Sequence, residues 1–431
     1  MSELVAIAGG NLEVGRLYSE RDSIRFAYNE DWRASRSSYP LSLSMPLAGS
    51  SYGDGVIRPY IRGLLPENQT TLRAISQQHH VSPGNPFRLL EIIGEDCPGA
   101  IQWIPSDRAD TFLSGTVESG IDWITESELC SRMAELISNQ EPTRLPDRGR
   151  FSLAGAQPKM ALHHDDRGWG IPYGRSPTTH ILKPSEERFD HFAHNEHFCL
   201  RLAEALGMRV CDSEVKDMDG LHVIVAKRYD RLAQGERVIR IHQEDMCQAL
   251  ARSPSQKYQS EGGPSPKDIF ELLEEYSNRA KEDQGRFLDA LIFNWLIAGT
   301  DAHAKNYSLL IASGQIRLAP LYDIACYLPY AFSEGNRNLR NVNSAMKVGN
   351  KYDLFRIEKH DWEQAANNWG QNVSDCFERI RNLQEKLTTF LEPVAHELGQ
   401  SFDPEFSDRL LMSIRQWSAR CIEKLAKTSY T

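Results

Sequence analysis

The hydrophobic period of this chain shifts along its length from strand-like to mixed to helical, and that order admits an α+β architecture assembled from successive pieces. Short apolar runs at 4–8, 14–18 and 24–28, separated by Gly9-Gly10-Asn11 and Glu20-Arg21-Asp22, have the spacing of a small β meander. Helical periodicity follows at 68–77 and 85–93, then a strand-like run at 99–104 ends at Pro105-Ser106-Asp107, where a first boundary is expected. Leu129, Met133, Leu136 and Ile137 mark an amphipathic helix with Ser127 as its cap, and 142–149 reads as a polar linker. From 151 to 231 the order is a hairpin, a strand at 179–183, a helix over about 190–206 stopped by Gly207, and strands at 210–216 and 222–228. Beyond Gln243 the clearest elements are helices at 267–276, 285–298, 377–391 and 407–425, interrupted by one hairpin at 307–321. The expected domains are a β-rich N-terminal subdomain at 1–108, an α/β lobe at 109–245 and a largely helical lobe at 246–431, close to the ~150 residues of a typical domain.

The formal charge of −10 makes the chain as a whole repel nucleic acid, so contact with DNA needs a basic partner or a local basic patch. Residues 361–378 contain no Lys or Arg. Eight scattered cysteines without a Cys-x-x-Cys pair suit reduced, buried thiols, no stretch reads as a membrane span, and residues 1–10 lack the basic start of a secretory signal; the expectation is a cytoplasmic protein.

The stretch 295–307 holds a helix end, Asp301, and Asn306 five positions later. Protein kinases use the same spacing, because one turn of loop lets the Asp accept the proton of an attacking hydroxyl while the Asn reaches Mg²⁺. Strand-like runs on either side of Ser313-Gly314-Gln315 then lead to Asp323, which a hairpin would return beside Asn306 as a second metal ligand. Each residue alone reads equally well as a turn or cap residue; together they favour a metal site with a base next to it. Lys183 ends the apolar strand Thr179-His-Ile-Leu-Lys183, and Glu196 on the following helix is placed to orient it. The small residues Ala154, Gly155 and Ala156 could bring backbone N–H groups close to phosphate, although the stretch is neither a Walker A sequence nor Gly-x-Gly-x-x-Gly and by pattern alone is a turn.

The chain resembles the HipA-type serine/threonine kinase toxins of bacterial toxin–antitoxin systems over nearly its whole length. The resemblance is carried by Pro40-Leu-Ser-Leu-Ser-Met-Pro46, Gly63-Leu-Leu-Pro66, Ser152-Leu-Ala-Gly-Ala-Gln-Pro-Lys159 and Thr178-Thr-His-Ile-Leu-Lys183. It continues through Arg228-Tyr-Asp-Arg231, Gln243-Glu-Asp-Met-Cys-Gln248, Tyr258-Gln-Ser-Glu-Gly-Gly-Pro264, Gly299-Thr-Asp-Ala-His-Ala-Lys-Asn306 and Leu321-Tyr-Asp-Ile324. It implies a two-lobed protein-kinase-like fold using ATP and Mg²⁺. Ala154, Gly155, Ala156, Gln157 and Lys159 would form the phosphate loop, Lys183 would contact phosphate, and Lys227, Arg228 and Tyr229 would pass the adenine. His303, Lys305 and Tyr322 would also contact nucleotide, Asp301 would be the base, Asn306 and Asp323 would hold Mg²⁺, and Ser152 would be autophosphorylated. Pro158 departs from an acidic residue in a well-studied member, at a position that is no ligand. The implied partners are a HipB-like helix-turn-helix antitoxin, operator DNA reached through that antitoxin, and a protein substrate such as an aminoacyl-tRNA synthetase, glutamyl-tRNA synthetase first among them.

Two rival readings are an ATP-binding corepressor without toxicity and a small-molecule or lipid kinase; the intact set of Asp301, Asn306, Asp323 and Lys183 speaks against the first and the N-terminal resemblance against the second. His191, His194 and His197, three apart on one helix, suit packing better than metal, and His396-Glu397 lacks the second His of a zincin because position 400 is Gln.

Overall fold

The first apolar runs form the strands that their alternation calls for, β1 (Ser2–Ala8), β2 (Leu12–Glu20) and β3 (Ser23–Tyr28), in an antiparallel meander. With β4 (Ser51–Tyr52) and β5 (Gln102–Pro105) they make a sheet of order β4-β3-β2-β1-β5. Helices α1 (Glu30–Ala34), α2 (Asp54–Leu64), α3 (Gln69–His79) and α4 (Pro86–Ile93) cover it around a core that includes Phe26, Tyr60, Phe87, Leu90 and Trp103. Three of these helices start where an Asn side chain accepts an N–H of the first turn: Asn29 from Trp32 at 3.1 Å, Asn68 from Thr71 at 3.1 Å, Asn85 from Arg88 at 3.2 Å.

This computed structural model describes residues 2–137 (except 10 and 22), 157–185, 189–331 (except 236), 342–399 and 402–426. Two compact units interleave along the chain. Unit 1 comprises Met1–Pro184, Lys216–Ser255 and Ser308–Ile316; unit 2 comprises Ser185–Val215, Gln256–Tyr307 and Arg317–Thr431. The expected stretches 1–108 and 109–245 therefore lie mostly within one unit.

The breakers at 105–107 open a helix. Pro105 takes the position before α5 (Ser106–Leu113), where its missing N–H costs nothing, and Ala109 and Phe112 pack on Val5 and Ile7 of β1. Helix α6 (Glu126–Ile137) follows β6 (Gly120–Ile124), and its cap is Thr125 rather than Ser127. The Thr125 hydroxyl accepts the Glu128 N–H at 3.2 Å while the Glu128 carboxylate accepts the Thr125 N–H at 2.7 Å. The expected linker at 142–149 and the residues Ser152, Ala154, Gly155 and Ala156 lie outside the described residues.

A second sheet runs β10-β11-β9-β7-β8-β6 and is formed by β6, β7 (Met160–Asp165), β8 (Gly168–Tyr173), β9 (His180–Pro184), β10 (Ser213–Met218) and β11 (Leu221–Lys227). Leu129 and Met133 of α6 pack with Leu162, Trp169, Leu182, Val223 and Val225. Helix α7 (Phe192–Ala205), which comes between β9 and β10 in sequence, belongs to unit 2. A hairpin of β12 (Arg231–Gln234) and β13 (Arg237–Arg240), absent from the sequence reading, precedes β14 (His242–Asp245) and the short α8 (Met246–Ala249). β14 pairs antiparallel with β15 (Ser308–Ala312), and β16 (Gln315–Leu318) follows a turn at Gly314, whose φ of +66° suits glycine.

Unit 2 is mainly helical: α7, α9 (Pro266–Tyr276), α10 (Ala280–Ile297), α11 (Leu328–Ala331), then the strands β17 (Asn343–Val348) and β18 (Lys351–Asp353), then α12 (Lys359–Asn368), α13 (Val373–Leu398) and α14 (Pro404–Ala426). Each of the four expected helices is present and longer than its apolar stripe, because polar first turns carry no periodic signal. Residues 361–378 fall on α12 and the start of α13. On and beside α7 the histidines pack: the rings of His191 and Phe406 lie 5.1 Å apart, those of His194 and Phe402 5.5 Å. His197 shares a hydrogen bond with Ser213 at 2.9 Å, and burial pushes its imidazole down to about 4.

Candidate active site

Helix α10 delivers the first part of the site. It ends at Ala298, whose left-handed φ of +52° closes the last turn, and the Gly299 N–H donates to the Asn294 carbonyl at 2.7 Å. A Cβ on Gly299 would stand 2.2 Å from the Asn294 side-chain oxygen, so a larger residue here would have to displace that side chain. The loop then folds on itself. The Asp301 carbonyl accepts the His303 N–H at 2.8 Å and the Asn306 Nδ2 at 2.8 Å, and the His303 carbonyl accepts the Asn306 N–H at 2.9 Å. This leaves the Asp301 side chain 68% exposed and Asn306 buried with its amide nitrogen turned onto the loop, so that Oδ1 is the end left for a ligand. The Asp301 carboxylate accepts one hydrogen bond among the described residues, from the Tyr258 hydroxyl at 2.5 Å.

Asp323 reaches the same neighbourhood on a clamped segment. Leu321 exchanges backbone bonds with Arg209 and Cys211, both at 2.8 Å; the Tyr322 hydroxyl donates to the Lys305 carbonyl at 2.6 Å; Asn195 of α7 holds the Cys326 backbone on both sides, at 2.7 and 2.9 Å. The Tyr327 N–H donates to the Ala298 carbonyl at 3.2 Å. Between these ties Asp323 is held at φ +59°, a conformation that costs an L residue on the order of 1 kcal/mol and persists only where its surroundings impose it.

His303 reports that the charges converge. Burial lowers its imidazole below the ordinary value, Asp301 and Asp323 pull it back up, and Lys257 and Lys305 push it down. A neutral ring results, with a buried Nδ1 that has no hydrogen-bond partner among the described residues. Two carboxylates, an amide oxygen and an orphaned ring nitrogen suit a hard divalent cation and a polar ligand.

Unit 1 carries others of the expected residues. Beyond the last β7–β9 pair, Met160↔Leu182, Lys159 just before β7 and Lys183 inside β9 stand at the same end, and Gln157 Nε2 donates to the Pro184 carbonyl at 3.3 Å. Lys227, which is exposed, pairs with His180 at the other end of β9, about three strand steps or roughly 10 Å away. Lys183 itself is buried. The Tyr229 hydroxyl donates to the side chain of Gln243.

Comparison with known proteins matches residues 151–391 to the HipA-like C-terminal domain and residues 5–104 to the HipA N-terminal domain. The chain belongs to the HipA family of kinases. It is 37% identical over 400 residues to Y4mE of Sinorhizobium fredii, named as a candidate kinase, covering 90% of each chain. It is 31% identical over 338 residues to the serine/threonine-protein kinase toxin HipA of Shewanella oneidensis, covering 73% of each. HipA in the Shewanella oneidensis complex of HipA, HipB and operator DNA superposes with a TM-score of 0.83 at 25% identity, covering 98% of this chain and 97% of that one.

Among the expected site residues of this HipA-family kinase, unit 2 brings together Asp301, His303, Lys305, Asn306, Tyr322 and Asp323, and unit 1 places Gln157, Lys159 and Lys183 at one strand end. The side chain of Arg228 is committed elsewhere in unit 1. Its guanidinium is buried and fully engaged, with Asp230 at 3.0 and 2.8 Å, the Thr178 hydroxyl at 2.8 Å and the Cys97 carbonyl at 3.0 Å. Only its backbone remains for a ligand. Arg231 and Arg240 join the same cluster through Asp96, at 2.8 and 3.1 Å. Burial works against the charge of Asp96, but Arg231, Arg240 and Arg228 outweigh it and hold the carboxyl below the usual range. Sequence reasoning missed Asp96 and Tyr258; the second stands at the head of the quoted stretch 258–264, which carried no assigned role.

Proposed function

We propose that the chain transfers the γ-phosphoryl group of ATP to a Ser or Thr hydroxyl of a protein. The observation that carries this is the folded loop in which Asn306 is tied to the Asp301 carbonyl, the Asp301 carboxylate is exposed, and Asp323 is clamped nearby. Asp301 accepts the proton of the acceptor hydroxyl through its exposed carboxylate. Asn306 Oδ1 and the Asp323 carboxylate hold Mg²⁺, which supplies charge neutralisation when bound with ATP. Lys159, Lys183 and the loop 154–157 hold phosphates, Lys227 and the backbone at Arg228 and Tyr229 line the adenine end, and His303 donates to or accepts from the nucleotide. The functional division is a β-rich N-terminal subdomain at 1–108, a nucleotide lobe at 109–245 and a catalytic lobe at 246–431. Asp301→Asn is expected to cut phosphoryl transfer by on the order of 10²–10⁴-fold while Mg-ATP binding stays within a few fold; equal turnover by the variant would reject the assignment.

The same reading makes the chain the toxin of a toxin–antitoxin pair, bound by a HipB-like helix-turn-helix antitoxin and reaching operator DNA through it, with an aminoacyl-tRNA synthetase as substrate. Support comes from the Shewanella oneidensis complex and from the charge of −10, which suits a cationic partner. The chain's place of action is then the cytoplasm; among the described residues no helix is long and apolar enough to cross a membrane. Ser152 is the proposed autophosphorylation site, since nearly two added negative charges beside the phosphate loop would oppose ATP. Mass spectrometry should find phosphate on Ser152 in active protein and none in Asp301→Asn; phosphate in both would assign it to another kinase.

A further inference from the structure

Asp301 has its backbone fixed by the loop, and among the described residues its exposed carboxylate accepts one hydrogen bond, with His303 Nε2 4.0 Å from the same oxygen. That bond comes from Tyr258, outside the catalytic loop. The Tyr258 hydroxyl donates to Asp301 Oδ1 at 2.5 Å, and its ring stands edge-on to the ring of His303 at 5.1 Å and 84°. The turn that carries Tyr258 is joined to the catalytic loop, because the Lys257 carbonyl accepts the Ala304 N–H at 3.2 Å. It is also internally rigid. The Tyr258 carbonyl accepts the N–H groups of Glu261 and Gly263, both at 3.0 Å, and Gln259 Oε1 accepts the Lys347 N–H at 2.7 Å. Gly263 lies so close beneath the turn that a Cβ there would stand 2.0 Å from the Gln256 carbonyl and 2.8 Å from that of Tyr258. So tight a turn, closed by glycine, fixes the backbone from which the Tyr258 side chain reaches Asp301.

We infer that Tyr258 is a positioning residue for the phosphoryl-transfer step: its hydroxyl pins Oδ1 of Asp301 so that Oδ2 faces the incoming hydroxyl. A charge-assisted hydrogen bond of this kind stabilises the carboxylate in one orientation, and an exposed carboxylate without it samples several. The inference rests on Asp301 being the base. It assigns no group that touches nucleotide, so its signature is a loss in turnover without a loss in nucleotide affinity.

Tyr258→Phe removes the hydroxyl and keeps the ring against His303. The full chain is assayed for transfer from γ-labelled ATP to dephosphorylated casein as a generic Ser/Thr acceptor and to itself, with Mg-ATP affinity measured by calorimetry. The expected result is a kcat lower by about 10- to 100-fold, with Mg-ATP affinity within about twofold of wild type. In the Asp301→Asn background the second substitution should cost nothing more, because Tyr258 then has no carboxylate to hold. A wild-type kcat in Tyr258→Phe beside an inactive Asp301→Asn would overturn the positioning role and leave the assignment of the base intact. A loss of equal size in both backgrounds would overturn it in favour of a structural contribution. An active Asp301→Asn would remove the reading on which the inference rests.

Discussion

Replacing Glu244 with Gln should make unit 1 more stable above neutral pH, and by an amount that grows with pH. Glu244 on β14 is buried; its Oε1 accepts the Leu43 N–H at 2.8 Å, and its Oε2 has no partner among the described residues. Burial raises its carboxyl to about 8, the hydrogen bonds from Ser42 and Leu43 offset only part of this, and Asp245 adds to it. An acid whose folded value lies above its unfolded value of about 4.3 binds its proton more tightly when folded, so folding loses stability as pH rises between the two. His242, buried beside it and lowered to about 4, works the other way up to its unfolded value of about 6.5. The two nearly cancel below pH 6.5. From 6.5 to 8 Glu244 acts alone of the pair, and at ~1.4 kcal/mol per pH unit the loss is about 2 kcal/mol. Glutamine keeps the shape and the acceptor for Leu43 without the charge. Hydrogen exchange of the Leu43 amide in the full chain, corrected for intrinsic rate, should lose protection between pH 6.5 and 8 in the wild type and keep it in Glu244→Gln. Equal slopes in the two proteins would refute the argument.

Asp323→Ala should weaken Mg-ATP binding while leaving metal-free ATP binding nearly unchanged, because the carboxylate acts on the metal; calorimetry with and without Mg²⁺ checks it. Asp96→Ala should destabilise unit 1 by about 3–5 kcal/mol, since it leaves the clustered Arg228, Arg231 and Arg240 with Asp230 as the one remaining carboxylate among the described residues, and urea unfolding monitored by exchange at peptides covering 94–100 and 228–240 measures the loss. As acid pH protonates Asp96 and Asp230, both held below the usual carboxylate range, the same cluster should fail. Its contribution is present above the unfolded value of about 3.9 and is lost as pH falls beneath it, which exchange at those peptides at pH 3 against pH 5 would register.

Much of the site was legible because it is local. The helix end at Ala298, the glycine at 299, and the spacing of Asp301 and Asn306 are all written within a few residues, and the loop bonds of Asp301, His303 and Asn306 close over that same span. The Asn caps at 29, 68 and 85 are local in the same sense. The cap of α6 was misplaced by two residues because Ser127 and Thr125 are equally good cap types, and only the reciprocal Glu128 bond distinguishes them.

The amino-acid sequence by itself determined the strand meander, the helical character of the last third and the residue types at the catalytic loop, since periodicity and turn chemistry act over a few residues. Tertiary structure alone decided what Arg228 touches, because its partners Cys97 and Thr178 lie 131 and 50 positions away and make its guanidinium part of a buried cluster. It likewise decided that Glu244 is buried, that Tyr258 reaches Asp301 across 43 positions, and that Asp323 is forced to φ +59° by ties to Asn195, Arg209 and Ala298. The physical reason is the same in each case. A side chain's charge, orientation and backbone strain depend on what the folded chain packs around it, and no residue pattern within one turn or strand contains that neighbour.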